Sequence, residues 1–167
     1  MMEEFFDVVD EGDNVVGRAS RRECHQKGLL HRSVVFFVFD KDGKVLVNRR
    51  TMNKDFFPGY WSIALGGHVH SGEGYDDAIG REIEEEVGIS AKPFRITSYK
   101  KRIPEEKENV VVYGVLADKK PKLDPTEIEE ASFMSMGEME KAVKERKFLP
   151  ETRSLLKILK AWGGMNK

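Results

Sequence analysis

From Asp76 to Val87 the apolar residues Ile79, Ile83 and Val87 recur every four positions, which aligns them along one stripe of a helix that Gly88 can stop. Elsewhere the pattern has strand character. Ser33 to Phe39 is rich in Val and Phe, and after the turn-forming Asp40-Lys-Asp-Gly43 the chain resumes at Lys44 to Val47, so a hairpin is predicted. Trp61 to Leu65, Phe94 to Tyr99 and Val110 to Leu116 read as further strands, the last with Val111, Tyr113 and Val115 on one side. Phe5 to Val9 and Asn14 to Val16 flank Glu11-Gly12-Asp13 as a short hairpin, and Ser20 to Lys27 is a short charged helix closed by Gly28. Thr51 to Gly59 mixes polar residues with Phe56, Phe57 and Pro58, as an ordered loop does. Two helices, Gly137 to Arg146 and Glu151 to Trp162, close the chain, with Pro150 where a first turn tolerates it. Without a regular strand-helix-strand rhythm, a mixed sheet flanked by helices is expected rather than a doubly wound parallel sheet.

Composition narrows the picture. A chain of 167 residues with 40% hydrophobic content suits a single domain, residues 1–167, with 1–28 as an N-terminal hairpin and helix attachment. Lys plus Arg number 28 against 29 for Asp plus Glu, so the net charge of -1 gives no reason to expect wholesale binding to a nucleic acid polymer or an anionic membrane. Any anionic substrate must be met locally. Cys24 is the single cysteine, which excludes an internal disulfide, and the N-terminus lacks the basic start and apolar run of a signal peptide. No segment approaches the roughly 20 apolar residues that span a bilayer, so a soluble, cytoplasmic protein is expected.

The predicted central helix carries an electrostatic burden. Glu82, Glu84, Glu85 and Glu86 crowd its C-terminal end, where the helix dipole disfavours each carboxylate by roughly 0.3–1 kcal/mol, and the pair Glu82 and Glu86 adds repulsion of about 0.2–0.5 kcal/mol. Helical projection sets Glu82, Glu85 and Glu86 together beside the apolar stripe, while Glu84 points away with Asp77. A solvated acidic face, partly relieved by Arg81, is one reading. The other is a set of hard oxygen ligands for Mg²⁺ or Mn²⁺, which would cancel the repulsion and clamp phosphate oxygens. No His/Cys set has closed zinc spacing. Upstream, Leu65-Gly66-Gly67 leaves a strand through residues that admit close backbone approach, so a carbonyl there could complete a metal shell.

These residues resemble the Nudix box, G-x5-E-x7-R-E-U-x-E-E-x-G-U with U aliphatic: Gly67, Glu73, Arg81-Glu82-Ile83, Glu85-Glu86 and Gly88-Ile89 fill every specified position. The resemblance implies the α+β Nudix fold, a mixed sheet sandwiched between helices, and hydrolysis of a nucleoside diphosphate linked to another group. It also implies that Glu82, Glu85 and Glu86 bind Mg²⁺ or Mn²⁺ with the Gly66 carbonyl, while Arg81 and Glu73 hold the box together. A second resemblance, over His31 to Glu73, is to isopentenyl-diphosphate isomerase. Its matching residues are Leu30-His31, Val47-Asn-Arg-Arg50, Lys54, Pro58-Gly59-x-Trp61 and Gly67-His68. In that family the positions of Arg50 and Lys54 face the diphosphate, and those of His31 and His68 bind metal. Gly66 replaces the proton-moving isomerase cysteine, and Cys24 stands in register with a further histidine while His25 lies one residue away, so hydrolysis is favoured.

The expected catalytic set is therefore Glu82, Glu85 and Glu86, with Arg50, Lys54 and His68 at the substrate and His31 structural. Glu85 or one of Glu127, Glu129 and Glu130 would serve as base, although the latter three also read as an exposed charged loop. Phe56, Phe57, Tyr60 and Trp61 read as core, with stacking on a substrate as the alternative. A small-molecule diphosphate is the expected partner, a homodimer is left open, and the rival functions are an isomerase-like enzyme and a catalytically silent binding module.

Overall fold

The computed structural model describes residues 3–104 and 106–163; the remaining residues of the expected 1–167 domain, at both ends and at position 105, lie outside them. In chain order the elements are β1 (Phe5–Val9), β2 (Val15–Ser20), α1 (Arg21–Lys27), β3 (His31–Phe39), β4 (Val45–Arg50), β5 (Trp61–Ser62) and β6 (Leu65–His68). Then follow α2 (Tyr75–Val87), β7 (Phe94–Ile103), β8 (Glu106–Leu116), β9 (Ile128–Met134), α3 (Met136–Glu145) and α4 (Thr152–Trp162). The main sheet runs β5-β4-β3-β8-β7, with β6 added to β3 and β9 to β4. It is mixed because β3 and β8 run parallel while the other pairs are antiparallel.

Strand alternation distributes the core to both faces. Val111, Tyr113 and Val115 face one side with Val34, Phe36 and Val38, against Ala78, Ile79, Ile83 and Val87 of α2. On the other side Val110, Val112, Phe37 and Phe39 meet Met139 and Ala142 of α3 and Leu155, Leu156 and Leu159 of α4. The helices thus cover both faces. Ile79, Ile83 and Val87 are each at most 2% exposed, and burying each such side chain stabilises by about 1.5–3 kcal/mol.

Three strand expectations need correction. The predicted hairpin turn forms, with Asp40 Oδ1 accepting from the Asp42 and Lys44 amides, but β3 and β4 pair only at Phe39 and Val45. The rest of that β3 edge is taken by β6, from Ser33 with His68 to Phe36 with Leu65. The expected strand from Trp61 to Leu65 is two, because Ser62 Oγ accepts from the Ala64 amide and donates to the Ala64 carbonyl, bending the chain between β5 and β6. The acidic stretch around Glu127 is not simply a loop: Glu129 and Glu130 lie on β9, paired along β4.

The N-terminal segment forms its own two-stranded sheet and helix, closed by Ser20 Oγ accepting from the Glu23 amide and by Gly28 at φ 62°. Phe6, Ala19 and Cys24 make its small core. Asp13 fastens it to the main sheet by accepting from Arg32 Nε, Asn109 Nδ2 and Tyr75 OH.

Candidate functional site

The two glycines between β3 and α2 are required by contact. A Cβ on Gly66 would stand 2.4 Å from the Val34 carbonyl oxygen, and one on Gly67 would stand 2.1 Å from the Glu82 carboxylate. Only bare backbone lets β6 pass between the central strand and the acidic helix at this separation. Arg81 then locks the segment: its Nε and Nη2 each donate at 2.9 Å to Glu73, Nη2 also reaches the His68 carbonyl at 3.0 Å, and Nη1 reaches Glu82 at 2.8 Å. The turn before α2 is held in the same way, with Glu73 accepting from the His70 amide.

The three box carboxylates meet three different surroundings. Glu82 is buried behind Gly67, and burial pushes its carboxyl up to about 7, Arg81 opposing and Glu86 and Glu85 adding repulsion. Burial also raises Glu86, although Lys54 and Arg50 pull it back. Glu85 is 58% exposed and touches Arg81 at 3.4 Å. Glu86 faces a cavity while Glu82 turns to Arg81, so the carboxylates expected together beside the apolar stripe meet different partners. The last turn of α2 has no basic residue, so a divalent cation fits this end of the helix as the missing countercharge.

A cavity of about 270 Å³ opens here, and its wall includes Gly66, Gly67, Arg50, Lys54, Glu86 and His68. Arg50 Nε and Nη2 both donate to the Phe56 carbonyl, at 3.2 and 3.0 Å, and Lys54 is ion-paired with Glu127. Burial lowers both cations, most directly opposed by Glu151 for Arg50 and by Glu86 for Lys54. A charged ligand entering this space meets two partly buried cations, Arg50 turned to a neutral carbonyl and Lys54 to a carboxylate, and partial desolvation strengthens the attraction of each to phosphate.

On the same cavity lies a cluster that the linear spacing concealed. His31 on β3 sits opposite Glu108 on β8, and His68 on β6 sits opposite Ser33, so three strands bring His31, His68 and Glu108 together with ligand atoms within 4.8 Å of one another. His31 Nδ1 lies 2.9 Å from the Leu29 carbonyl and must donate to it, which leaves Nε2 of the neutral ring as an acceptor. That buried Nε2 points at Glu108 Oε2, 3.2 Å away, without hydrogen-bond alignment. His68 Nε2 stands 3.0 Å from the same oxygen. His68 Nε2 can donate to that oxygen, whereas the lone pair of a neutral His31 Nε2 facing a carboxylate needs a proton or a cation between them. Despite burial, Glu108 is held far below the usual carboxylate range by the two histidines, and His31 is raised because Glu108 outweighs its burial. This N/O donor set fits Zn²⁺ or Mn²⁺ better than the all-oxygen trio does.

Of the predicted residues, Arg50, Lys54, His68, Gly66 and Glu86 are thus brought to one cavity, while Glu85 is exposed outside it and Glu82 lies behind its glycine wall. His31, expected to be structural, joins the metal-like cluster, and the ring of His25 comes within 6.1 Å of both His31 and His68 while Cys24 turns into the N-terminal core. Glu127 lines the cavity, whereas Glu129 pairs with Arg49 and Glu130 is exposed. Phe56 and Phe57 are not core: they are 69% and 43% exposed. Sequence reasoning missed Glu108, although it shares strand parity with the buried Val110 and Val112, a pattern that places it on an inward face.

Comparison with known proteins adds three kinds of likeness. A family model described as the NUDIX domain matches residues 29–152, beginning just past α1. A Nudix hydrolase of Streptomyces coelicolor is 36% identical over 97% of this chain and 91% of its own length, and an isopentenyl-diphosphate Delta-isomerase of Serratia proteamaculans is 34% identical over 97% and 93%. A crystal structure of a protein from Deinococcus radiodurans superposes with a TM-score of 0.77 at 23% identity, over 92% of this chain and 98% of that one.

Proposed function

From the premise that this chain belongs to the Nudix family and is a Nudix hydrolase, we propose that it depends on a divalent cation, Mg²⁺ or Mn²⁺ at the box, and cleaves a diphosphate linkage in a nucleoside diphosphate derivative or similar compound. The observation that carries this reading is the single cavity in which Arg50 and Lys54 face Glu86 beside the Gly66-Gly67 backbone. Arg50 offers paired donors in the plane that phosphate oxygens match, and Lys54 offers a mobile point charge. On binding, diphosphate oxygens replace the Phe56 carbonyl at Arg50 and the Glu127 carboxylate at Lys54. Glu82 and Glu86, with the Gly66 carbonyl, would hold the box cation, and His31, His68 and Glu108 would hold a second. Bound there, divalent cations supply charge that offsets the phosphate oxygens as water attacks phosphorus. Arg81 keeps Glu82 and the His68 backbone in place during that step.

The isomerase-like alternative has the His31, His68 and Glu108 cluster in its favour, because the resemblance assigns metal to the two histidine positions. Against it stands Gly66. The position has no side chain to move a proton, and the Val34 carbonyl leaves no room for one on this backbone. Purified protein incubated with nucleotide sugars, dinucleoside polyphosphates and isopentenyl diphosphate, with Mg²⁺ or Mn²⁺, separates the readings. Phosphorus NMR showing a new phosphate monoester supports hydrolysis. Interconversion of isopentenyl and dimethylallyl diphosphates supports isomerisation, and thermal stabilisation without product supports a binding module.

A further inference from the structure

Each carboxylate foreseen as the proton acceptor is compromised by its surroundings. Glu85 is exposed and bonded to Arg81, Glu129 is paired with Arg49, and Glu130 is exposed on β9. Within the cavity wall, Glu127 is ion-paired with Lys54, Glu106 with Lys101 at 2.6 Å, and Glu108 lies between His31 and His68. Glu86 belongs to the carboxylate set at the end of α2. The remaining cavity carboxylate is Glu151, a residue the sequence reading used only to start the last helix.

Its position is unusual for a residue at a helix start. Glu151 is the N-cap of α4, yet its side chain makes no capping hydrogen bond, in contrast to Ser20 and Ser135, which cap α1 and α3. Nor does its carboxylate form an ion pair or side-chain hydrogen bond among the described residues. It is half-buried on the cavity wall beside the fully buried Leu155. The charged and titratable groups that face it are Arg50, Lys101 and Tyr99, each of which feels its charge. Arg50 in turn feels both Glu151 and Glu86, and all three line the same cavity, so the proposed phosphate-binding guanidinium shares it with the free carboxylate and with a carboxylate of the acidic helix.

Building on the hydrolase reading above, we propose that Glu151 is a catalytic residue, the base that takes a proton from the attacking water. As the water oxygen forms its new bond to phosphorus, one of its protons passes to a Glu151 carboxylate oxygen. The bridging P–O bond breaks with its electron pair leaving on the departing phosphate oxygen. One water is consumed, nothing is oxidised or reduced, and the proton on Glu151 returns to solvent through the open cavity mouth.

The test compares full-length wild type with E151Q and E151D on the diphosphate that wild type hydrolyses fastest in the panel, with Mg²⁺. E151Q is expected to lower kcat by about 10²–10⁴-fold, the usual contribution of a general base, with KM within about threefold and an unchanged melting temperature. Its pH–rate profile should lose the acid-side limb that wild type shows, and E151D should keep the limb at a reduced rate. Retention of kcat in E151Q, or a raised KM at constant kcat, would overturn the assignment while leaving the hydrolase reading intact. Should E151Q not fold, an acid limb and rate in E151D equal to those of wild type would overturn it. Absence of any hydrolysis by wild type would overturn both.

Discussion

Glu82 and Glu86 stand one turn apart on α2 and yet differ in what replacing them should do. Glu86 faces the cavity, so Glu86→Gln removes a ligand charge without opening the core; metal-dependent turnover is expected to fall at least about 100-fold, with circular dichroism and melting temperature preserved. Full activity in that variant would remove the metal assignment. Glu82 is buried behind Gly67 and its folded-state value, about 7, lies above the 4.5 of the unfolded chain. Between those values the folded state holds the extra proton, so this group's stabilisation is complete below pH 4.5 and is lost as pH rises toward 7, on the order of 3 kcal/mol. Denaturant titrations of metal-free protein should show stability falling over that window, Glu82→Gln should flatten the slope, and Mg²⁺ should restore stability at neutral pH. At this scale the motif residues were legible, because a box of fixed spacing places Arg81 on Glu73 and Glu82 whatever surrounds it. His31 was not, since its role depends on Glu108 from a distant strand.

Elements were legible where one periodicity dominated and obscure where two strands competed for an edge. The α2 stripe, the Gly88 cap at φ 61° and the inward face of β8 follow from local pattern. The divergence of β3 and β4 does not, because it arises when β6 claims the edge that a hairpin would have filled. β9 was obscured because the consecutive exposed residues Glu129 and Glu130 break the alternation between the buried Ile128 and Met134. The approach of β6 to α2 supplies a prediction at this scale. Gly67→Ala places a Cβ against the Glu82 carboxylate, which Arg81 prevents from swinging away freely. Strand and helix must separate, at a cost of about 1–3 kcal/mol; the melting temperature should fall, and cation binding measured by calorimetry should weaken with it. Unaltered stability together with unaltered cation binding would show that the contact yields without consequence.

Across the whole molecule, the N-terminal unit and the cavity meet at one ring. Phe6, fully buried, stacks on His31 with centroids 5.2 Å apart and on His68 at 4.6 Å, covering the faces of both rings. Phe6→Ala should cost about 3–5 kcal/mol in the stability of that unit. Hydrogen exchange would then quicken across residues 5–28 while α2 stays protected, and Mn²⁺ or Zn²⁺ affinity should fall; equal loss of protection throughout would show that the N-terminal unit does not unfold separately. No helix in the described residues is long and apolar enough to cross a membrane. By itself the sequence determined the helices, most strands, the two-sided core pattern and the acidic box, because periodicity, caps and motif spacing act over a few neighbouring residues. Only the tertiary structure decided which edge each strand takes, that Glu85 stands outside the cavity, that Glu108 and Glu151 border it beside His68, and that His31 meets Glu108. Strand pairing and burial join residues far apart in the chain, and a one-dimensional pattern carries no record of which partner wins.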